Sequence, residues 1–424
     1  MSEEFFDVIV VGAGIIGAST AFYLKKQGVS NVLLLEKNQI ASGGTGKSAA
    51  IVRSYYSVPV MARLAKEAVS LFHNLEEEIG TKGGFNNTGF TVLVSPEWLE
   101  KAKDVISMNN KLGIIGSSLI AEEHILAFQE NDFDVTCIAS SNNSKTAHTL
   151  AKKYKSVKYF PSVPEMLQEG EYSSLAILSS VESLYSNLIK ALDYADYIFI
   201  EKPVSLNTSE INKIKSLRNV QVGFNRRYYS SVDKLRSFIE KAEFITGNIN
   251  FPEEISTTSK STDKKKLHHE AIRKNSIHIF DLLSYLFGEL KVEYKKTIGN
   301  KEYIGVEAIL SNEICNLYLS SSLNDPSNTS ISIFNGQKRA VLRPLEHYTE
   351  YEGFIVKDPE KGSKIRRYSP NAVSNNVVEA KKFKPGFYEQ SLDFKKLLTG
   401  EDSLKRPTLE DSYIASSLID NLLS

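Results

Sequence analysis

Two stretches of this chain open in the same way, and that repetition limits the fold more than any other feature. Phe6 to Val11 is a short apolar run, rich in β-branched residues, that ends in Gly12-x-Gly14-x-x-Gly17. Leu112-Gly113-Ile114-Ile115 runs into Gly116 in the same manner. Continuous apolar runs of this length suit parallel strands buried on both faces, and a small-residue turn after each leads into a helix. The pattern predicts two parallel α/β modules in tandem rather than a short-period solenoid.

A chain of 424 residues is long enough for two or three domains, and 42% hydrophobic content supplies their cores. Lys+Arg and Asp+Glu balance at 51 each, so no global field draws the protein to nucleic acid or to an anionic membrane. Cys137 and Cys315 form neither a CxxC pair nor a disulfide framework, and no metal is expected. The acidic start Met1-Ser2-Glu3-Glu4 lacks the basic region of a signal peptide. The apolar stretch from Val8 to Leu24 is interrupted by Gly12, Gly14 and Gly17 and reads as strand–turn–helix, not as a membrane span. A soluble cytoplasmic protein is the expectation.

From residue 111 onward, strands and helices alternate. Strands are expected at 135–139, 175–179, 197–201 and 220–223, with helices at 144–154, 184–192 and 209–217. This is the rhythm of a doubly wound parallel sheet. Beyond about residue 245, short strands at 292–298, 304–310, 315–321, 329–334 and 339–342 follow a helix at 276–286, which favours an open antiparallel sheet. Two amphipathic helices, 386–398 and 409–423, close the chain, and the lysine-rich stretch 256–266 reads as a solvated loop. The fold class is therefore α/β: tandem Rossmann-like modules, the first one partial, followed by an α+β domain with an open, mainly antiparallel sheet. The boundaries expected are 1–110, 111–235 and 236–424. An exposed sheet face in the last domain would suit a homodimer or homotetramer.

In the first module the motif has its full setting. Gly12 permits the turn, Gly14 lets the backbone approach a pyrophosphate, and Gly17 allows close helix–strand packing. The helix N-terminus can hold phosphate charge, and Glu36, after the strand 32–35, can accept from a ribose hydroxyl. The loop Ala41 to Arg53, with Tyr55-Tyr56-Ser57, Gly84-Phe85 and Thr88-Gly89-Phe90, resembles the D-amino-acid oxidase/sarcosine oxidase superfamily over roughly residues 5–112. That resemblance implies FAD, with Ser42, Thr45 and Ser48 beside it. The substrate domain and C-terminal flavin segment of that superfamily do not follow, so the chain reads as a fusion of two pieces joined near Lys111.

In the second module only the first glycine stands: Ser118 and Ala121 occupy the positions of the second and third after Gly116. Glu201-Lys202-Pro203, Gly223-Phe224-Asn225-Arg226-Arg227, His278-x-x-Asp281, Gly386-Phe387-Tyr388-Glu389-Gln390 and Arg406-Pro407-Thr408-Leu409-Glu410-Asp411 follow in order. Together they resemble the glucose–fructose oxidoreductase/inositol dehydrogenase/MocA family over residues 112–424. The resemblance implies an NAD(P)-dependent oxidoreductase acting on a sugar, cyclitol or polyol. Lys202 would be its acid/base beside the nicotinamide, aimed by a cis peptide to Pro203, and His278 its partner, with Asp281 orienting the imidazole. Cofactor neighbours would be Gly116, Ser118, Ala121, Ser140, Ser141, Ser179, Glu201 and Pro203. At the end of the strand 135–139, Ser140, Ser141 and Asn142 supply neither the carboxylate that selects NAD nor the arginine that selects NADP. Lys274 stands where many relatives carry an aspartate, four residues before the histidine, and Asn275 could take part of its role. Two other readings stay open: a nucleotide-binding sensor or scaffold with a degraded site, and a FAD-dependent amine oxidase or dehydrogenase carried by the first module.

Overall fold

A computed structural model describes residues 5–48, scattered positions between 61 and 80, and residues 110–141, 143–154, 157–254, 263–300, 304–359, 364–378 and 382–424. The expected flavin-side residues Arg53, Tyr55 to Ser57, Gly84-Phe85 and Thr88 to Phe90 lie outside the described residues, as does Asn142. The chain divides into two units, Met1–Pro96 and Glu97–Ser424.

In the first unit, β1 (Val8–Val11) leads through the glycine turn into α1 (Ile15–Lys26) and then β2 (Val32–Leu35). The strands pair in parallel, with Val8 opposite Val32 and Val11 opposite Leu35. Gly12 has φ +101°, and a Cβ on Gly17 would stand 1.8 Å from the Gly12 carbonyl oxygen, so neither position admits a side chain. Burial on both faces, expected for an apolar strand, is not found. Val11 and Ile16 are 82% and 81% exposed, and among the described residues of this unit Ala13 is the one buried hydrophobic.

The second unit begins with β3 (Lys111–Ile115), α2 (Ala121–Glu130), β4 (Asp134–Ala139), α3 (Lys145–Lys153), β5 (Lys158–Phe160) and α4 (Val163–Glu169). It continues with β6 (Ser174–Ile177), α5 (Val181–Ala191), β7 (Tyr197–Ile200), α6 (Thr208–Ile214) and β8 (Val220–Val222). The six strands form a parallel sheet in the order β5-β4-β3-β6-β7-β8, the doubly wound order with its reversal between β3 and β6. The strands β6 and β8 are buried throughout, which is why they carry no polar–apolar alternation.

After α7 (Ser230–Ile239), the strand β9 (Ile245–Asn250) enters a second sheet, completed by β10 (Lys291–Gly299), β11 (Ile304–Ser311), β12 (Cys315–Ser322), β13 (Ser330–Phe334), β14 (Lys338–Leu342), β15 (His347–Lys357) and β16 (Arg367–Val377). Its order is β10-β11-β12-β9-β13-β14-β15-β16, antiparallel except where β12 runs beside β9. In β12 (Cys315–Ser322) the inward side chains are Cys315, Leu317, Leu319 and Ser321, so one face is packed and the other open. Between β9 and β10 lie α8 (Lys264–Ala271), a π-helical turn (Ile272–Ser276) and α9 (Ile277–Phe287). The chain ends in α10 (Phe387–Leu398) and α11 (Leu409–Leu423). The latter is opened by a reciprocal cap in which Thr408 and Asp411 each accept from the other's backbone N–H.

The fold class expected from the sequence is the one observed, and one hydrophobic cluster runs through both sheets from Ile115 to Leu422. The loop expected at 256–266 is corrected at its end. Lys264 to Lys266 form the first turn of α8, because Asp263 Oδ1 accepts from the Lys266 N–H (3.1 Å) and caps the helix.

Candidate functional site

The sheet reversal separates the loops that follow β3 and β6, and a cavity of about 580 Å³ opens there at the carboxyl ends of the strands. Gly116 to Ser118, Ser140, Ser141, Ser144, Ser179, Ser180, Ser183, Asn187 and Lys190 contribute to its wall. Gly116 has φ +110°, and a Cβ there would meet the Ser179 backbone nitrogen at 2.4 Å. The first glycine is thus indispensable even though the other two are replaced. Ala121, the third position, is fully buried at the start of α2 and absent from the wall, where it permits close helix–strand packing. Ser118 Oγ is buried without a hydrogen-bond partner among the described residues. Ser117 Oγ lies 3.2 Å from both Ser140 Oγ and Ser144 Oγ, and Asn187 Nδ2 donates to Ser179 Oγ (3.1 Å). This wall of hydroxyls and one glycine turn fits the polyhydroxy and phosphate chemistry of a dinucleotide.

Glu201 was expected beside the cofactor, but its carboxylate turns inward. His124 Nε2 donates to Glu201 Oε1 (2.8 Å), and the Lys202 N–H donates to Oε2 (3.2 Å). The His124 ring is buried, with the Phe387 ring 4.6 Å and the Phe199 ring 5.2 Å away between centroids. A Cβ on Gly223 would approach Glu201 Oε1 to 2.8 Å, so the glycine leaves the carboxylate its room. Glu201 therefore braces the strand end that carries Lys202 against α2. The Lys202–Pro203 peptide is cis, in line with the resemblance, and Pro203 is buried behind it.

Further along the same sheet edge, Lys202 Nζ donates to the Lys274 carbonyl oxygen (3.3 Å) in the π-helical turn. Burial lowers the Lys202 pKa; the Glu201 and Glu253 carboxylates oppose that and the Arg226 guanidinium adds to it. His278 is buried and held well below the usual imidazole range, first by burial and then by the Lys202 and Arg226 charges facing it. The Phe224 ring stands across it at 5.8 Å, and His278 Nδ1 has no hydrogen-bond partner among the described residues. A neutral imidazole therefore faces a cationic amine whose proton is loosened, a pairing suited to moving a proton at a substrate oxygen.

Asp281 does not orient that imidazole. Its carboxylate accepts from Arg227 Nε (3.1 and 3.0 Å) and Nη2 (2.5 Å). Arg227 Nη2 also reaches Asp411 Oδ1 (2.9 Å), on α11. Three residues of separation put Asp281 on the helix face next to that of His278, where a buried guanidinium outcompetes a neutral ring for the carboxylate. Lys274 also points elsewhere, its Nζ 3.3 Å from Glu182 Oε1. Sequence reasoning missed Glu253, His124 and Arg226. Arg226 lay inside the 223–227 motif and His124 at the end of the glycine-turn segment, without a role given to either, and the β9 strand that delivers Glu253 carries no clear alternation.

In the first unit the acceptors of the dinucleotide crease are already engaged. Glu36 Oε2 accepts from the Ala13 N–H and Oε1 from the Asn38 N–H (both 2.9 Å), and these bonds lower its pKa. Thr45 Oγ1 accepts from the Ile15 N–H at the start of α1 (3.0 Å) and would stand 3.0 Å from a Cβ on Gly14. Ser42 and Ser48 lie in the same loop, their N–H groups donating to the Gln39 and Thr45 carbonyls (3.1 and 3.2 Å). The described residues supply the glycine turn, helix start and acidic residue of the phosphate and ribose end of such a site.

Comparison with known proteins resolves the chain into the same two parts. Residues 7–151 match the family described as FAD dependent oxidoreductase, and residues 110–221 match the oxidoreductase family with an NAD-binding Rossmann fold. The two matches overlap at 110–151, where the structure has β3, α2, β4 and α3 of the six-stranded sheet. Sarcosine oxidase subunit beta of Rhodobacter capsulatus is 38% identical over 93 residues, 22% of each chain. The chain thus spans about a fifth of the length of that relative. Inositol 2-dehydrogenase/D-chiro-inositol 3-dehydrogenase of Lacticaseibacillus casei is 22% identical over 257 residues, 58% of this chain and 68% of that protein. Among solved structures, a dehydrogenase from Chromobacterium violaceum superposes with TM-score 0.60 at 14% identity, over 74% of this chain and 93% of the other. Both resemblances stated from the sequence are therefore found, and the fold of the second unit is that of these dehydrogenases. No helix among the described residues is long and apolar enough to cross a membrane.

Proposed function

We propose that the second unit is an NAD(P)-dependent oxidoreductase whose substrate is a sugar, cyclitol or related polyol. The observation that carries this reading is the shared sheet edge. The Gly116 cavity opens at the sheet reversal, Lys202 follows β7 at the same carboxyl edge, and its charge acts on His278 at the start of α9. The nicotinamide, when bound, supplies the hydride acceptor or donor. Gly116 and Ser118 receive the pyrophosphate, Ser140 and Ser141 the adenosine ribose, and Ser179 stands against Gly116 on the other side of β3. Lys202 holds the oxygen of the reacting carbon and takes or returns its proton, and His278 accepts from or donates to the same oxygen. The oxidoreductase family match supports the reaction class, and the inositol dehydrogenase relative supports the substrate class.

Titration with NADH and NADPH, followed by nicotinamide fluorescence, tests the reading directly. Wild-type protein should bind at least one of them. Gly116→Ala should weaken that binding by well over tenfold, because the new methyl collides with the Ser179 backbone and strains a left-handed residue. Gly12→Ala should leave it unchanged. No response from wild-type protein to either nucleotide would sink the proposal.

A further inference from the structure

The aspartate that related sequences place four residues before the histidine is Lys274 here, and its side chain leaves the site for Glu182. A carboxylate nevertheless reaches the same turn from another element. Glu253 follows β9 and is 6% exposed. Ser276 Oγ donates to its Oε1 and Asn275 Nδ2 to its Oε2 (3.2 Å). Both donors belong to the π-helical turn whose Lys274 carbonyl accepts from Lys202 Nζ. The backbone of Glu253 is fixed as well, by its N–H to the Ser322 carbonyl (3.0 Å) and its carbonyl from the Asn324 N–H (2.6 Å).

We infer that Glu253 is a positioning residue for Lys202, pinning the turn that holds the ammonium and presenting to it a negative charge supplied by the second sheet. The inference rests on the proposed role of Lys202. The charged and titratable groups facing Lys202 are Glu201 at its own strand end, Arg226 after β8, Glu253 after β9 and His278 on α9. Glu201 is bound to His124, His278 is neutral, and Arg226 carries the same sign as the lysine. Glu201 and Glu253 are therefore the two carboxylates that favour the protonated amine, and Glu253 is the one that also binds the turn accepting from Lys202 Nζ. A carboxyl placed only to hold Ser276 and Asn275 is replaceable by an amide once the Asn275 side chain turns its oxygen to the new N–H, whereas one that biases Lys202 is not. The charge is the distinguishing feature.

Competitive acetylation of the whole protein with acetic anhydride over a pH series, read at Lys202 by mass spectrometry, gives the midpoint of its titration without nucleotide or substrate. Glu253→Gln keeps the shape and removes the charge, and the midpoint should fall by about one pH unit, the equivalent of a tenfold change in protonation equilibrium. Glu253→Asp keeps the charge but withdraws it by one methylene, and should give a smaller fall. It serves as the readout if the amide variant does not fold. A midpoint unmoved in either folded variant overturns the inference. Failure of wild-type protein to bind nucleotide would overturn the oxidoreductase reading and leave this measurement standing.

Discussion

Arg227→Ala should lower the unfolding free energy by about 3–5 kcal/mol, the cost of leaving a buried carboxylate without its cation. On a unit of this size that is a fall in melting temperature of roughly 5 °C. The guanidinium is 2% exposed and binds Asp281 through three contacts and Asp411 through one. The Tyr285 ring lies 4.8 Å from its centre and closes the remaining side. Asp411 also caps α11, so the arginine ties together the loop after β8, α9 and the C-terminal helix. Burial pushes the Asp281 carboxyl up to about 6, while its two carboxylate partners hold Arg227 protonated, so the cluster is an ion pair at neutral pH. Asp281→Ala should cost a similar amount. The paired replacement Arg227→Met with Asp281→Leu should cost less than either single change, because the fully buried carboxylate then leaves with its cation and only the partly exposed Asp411 loses a partner. Thermal unfolding of the four proteins decides it. Single variants within about 0.5 kcal/mol of wild type, the range of ordinary surface changes, would show that the pair contributes nothing.

That cluster also marks where the sequence could be read and where it could not. The parallel sheet was legible because buried strands between helices leave unmistakable apolar runs, as in Ser174–Ile177 and Tyr197–Ile200. Lys202, His278 and Gly116 stood in recognisable local settings, and the structure brings the first two together at the edge where the third opens a cavity. Asp281 was misassigned because three-residue spacing fixes neighbouring helix faces but does not say which partner waits there. Its arginine is 54 residues away in the chain. Glu253 and His124 were invisible for the same reason, since their partners lie 23 and 77 residues off. The long strands β15 (His347–Lys357) and β16 (Arg367–Val377) escaped too. Their outer halves are exposed on both faces, so no alternation marks them.

Lys202→Ala should cut turnover of any polyol that the wild type oxidises by roughly 10²–10⁴-fold, the usual contribution of a positioned acid or base. Nucleotide affinity should change little, because Lys202 is absent from the wall of the Gly116 cavity. The pH dependence carries a sign. Burial and the Arg226 charge bring the amine below its ordinary range, with Glu201 and Glu253 opposing. In the direction of substrate oxidation the neutral amine is the base, so kcat/KM should rise with pH through the Lys202 pKa, at a lower pH than a solvated lysine would give. In the direction of reduction the ammonium is the acid, and the same limb should fall. Lys202→Arg restores the positive charge but not the proton transfer, since a guanidinium does not deprotonate in this range. It should therefore remain as inactive as the alanine variant while binding nucleotide normally. An arginine variant that recovers most of the activity would mean that charge alone matters at this position, and Lys202 would then be an electrostatic clamp on the substrate oxygen rather than its acid and base.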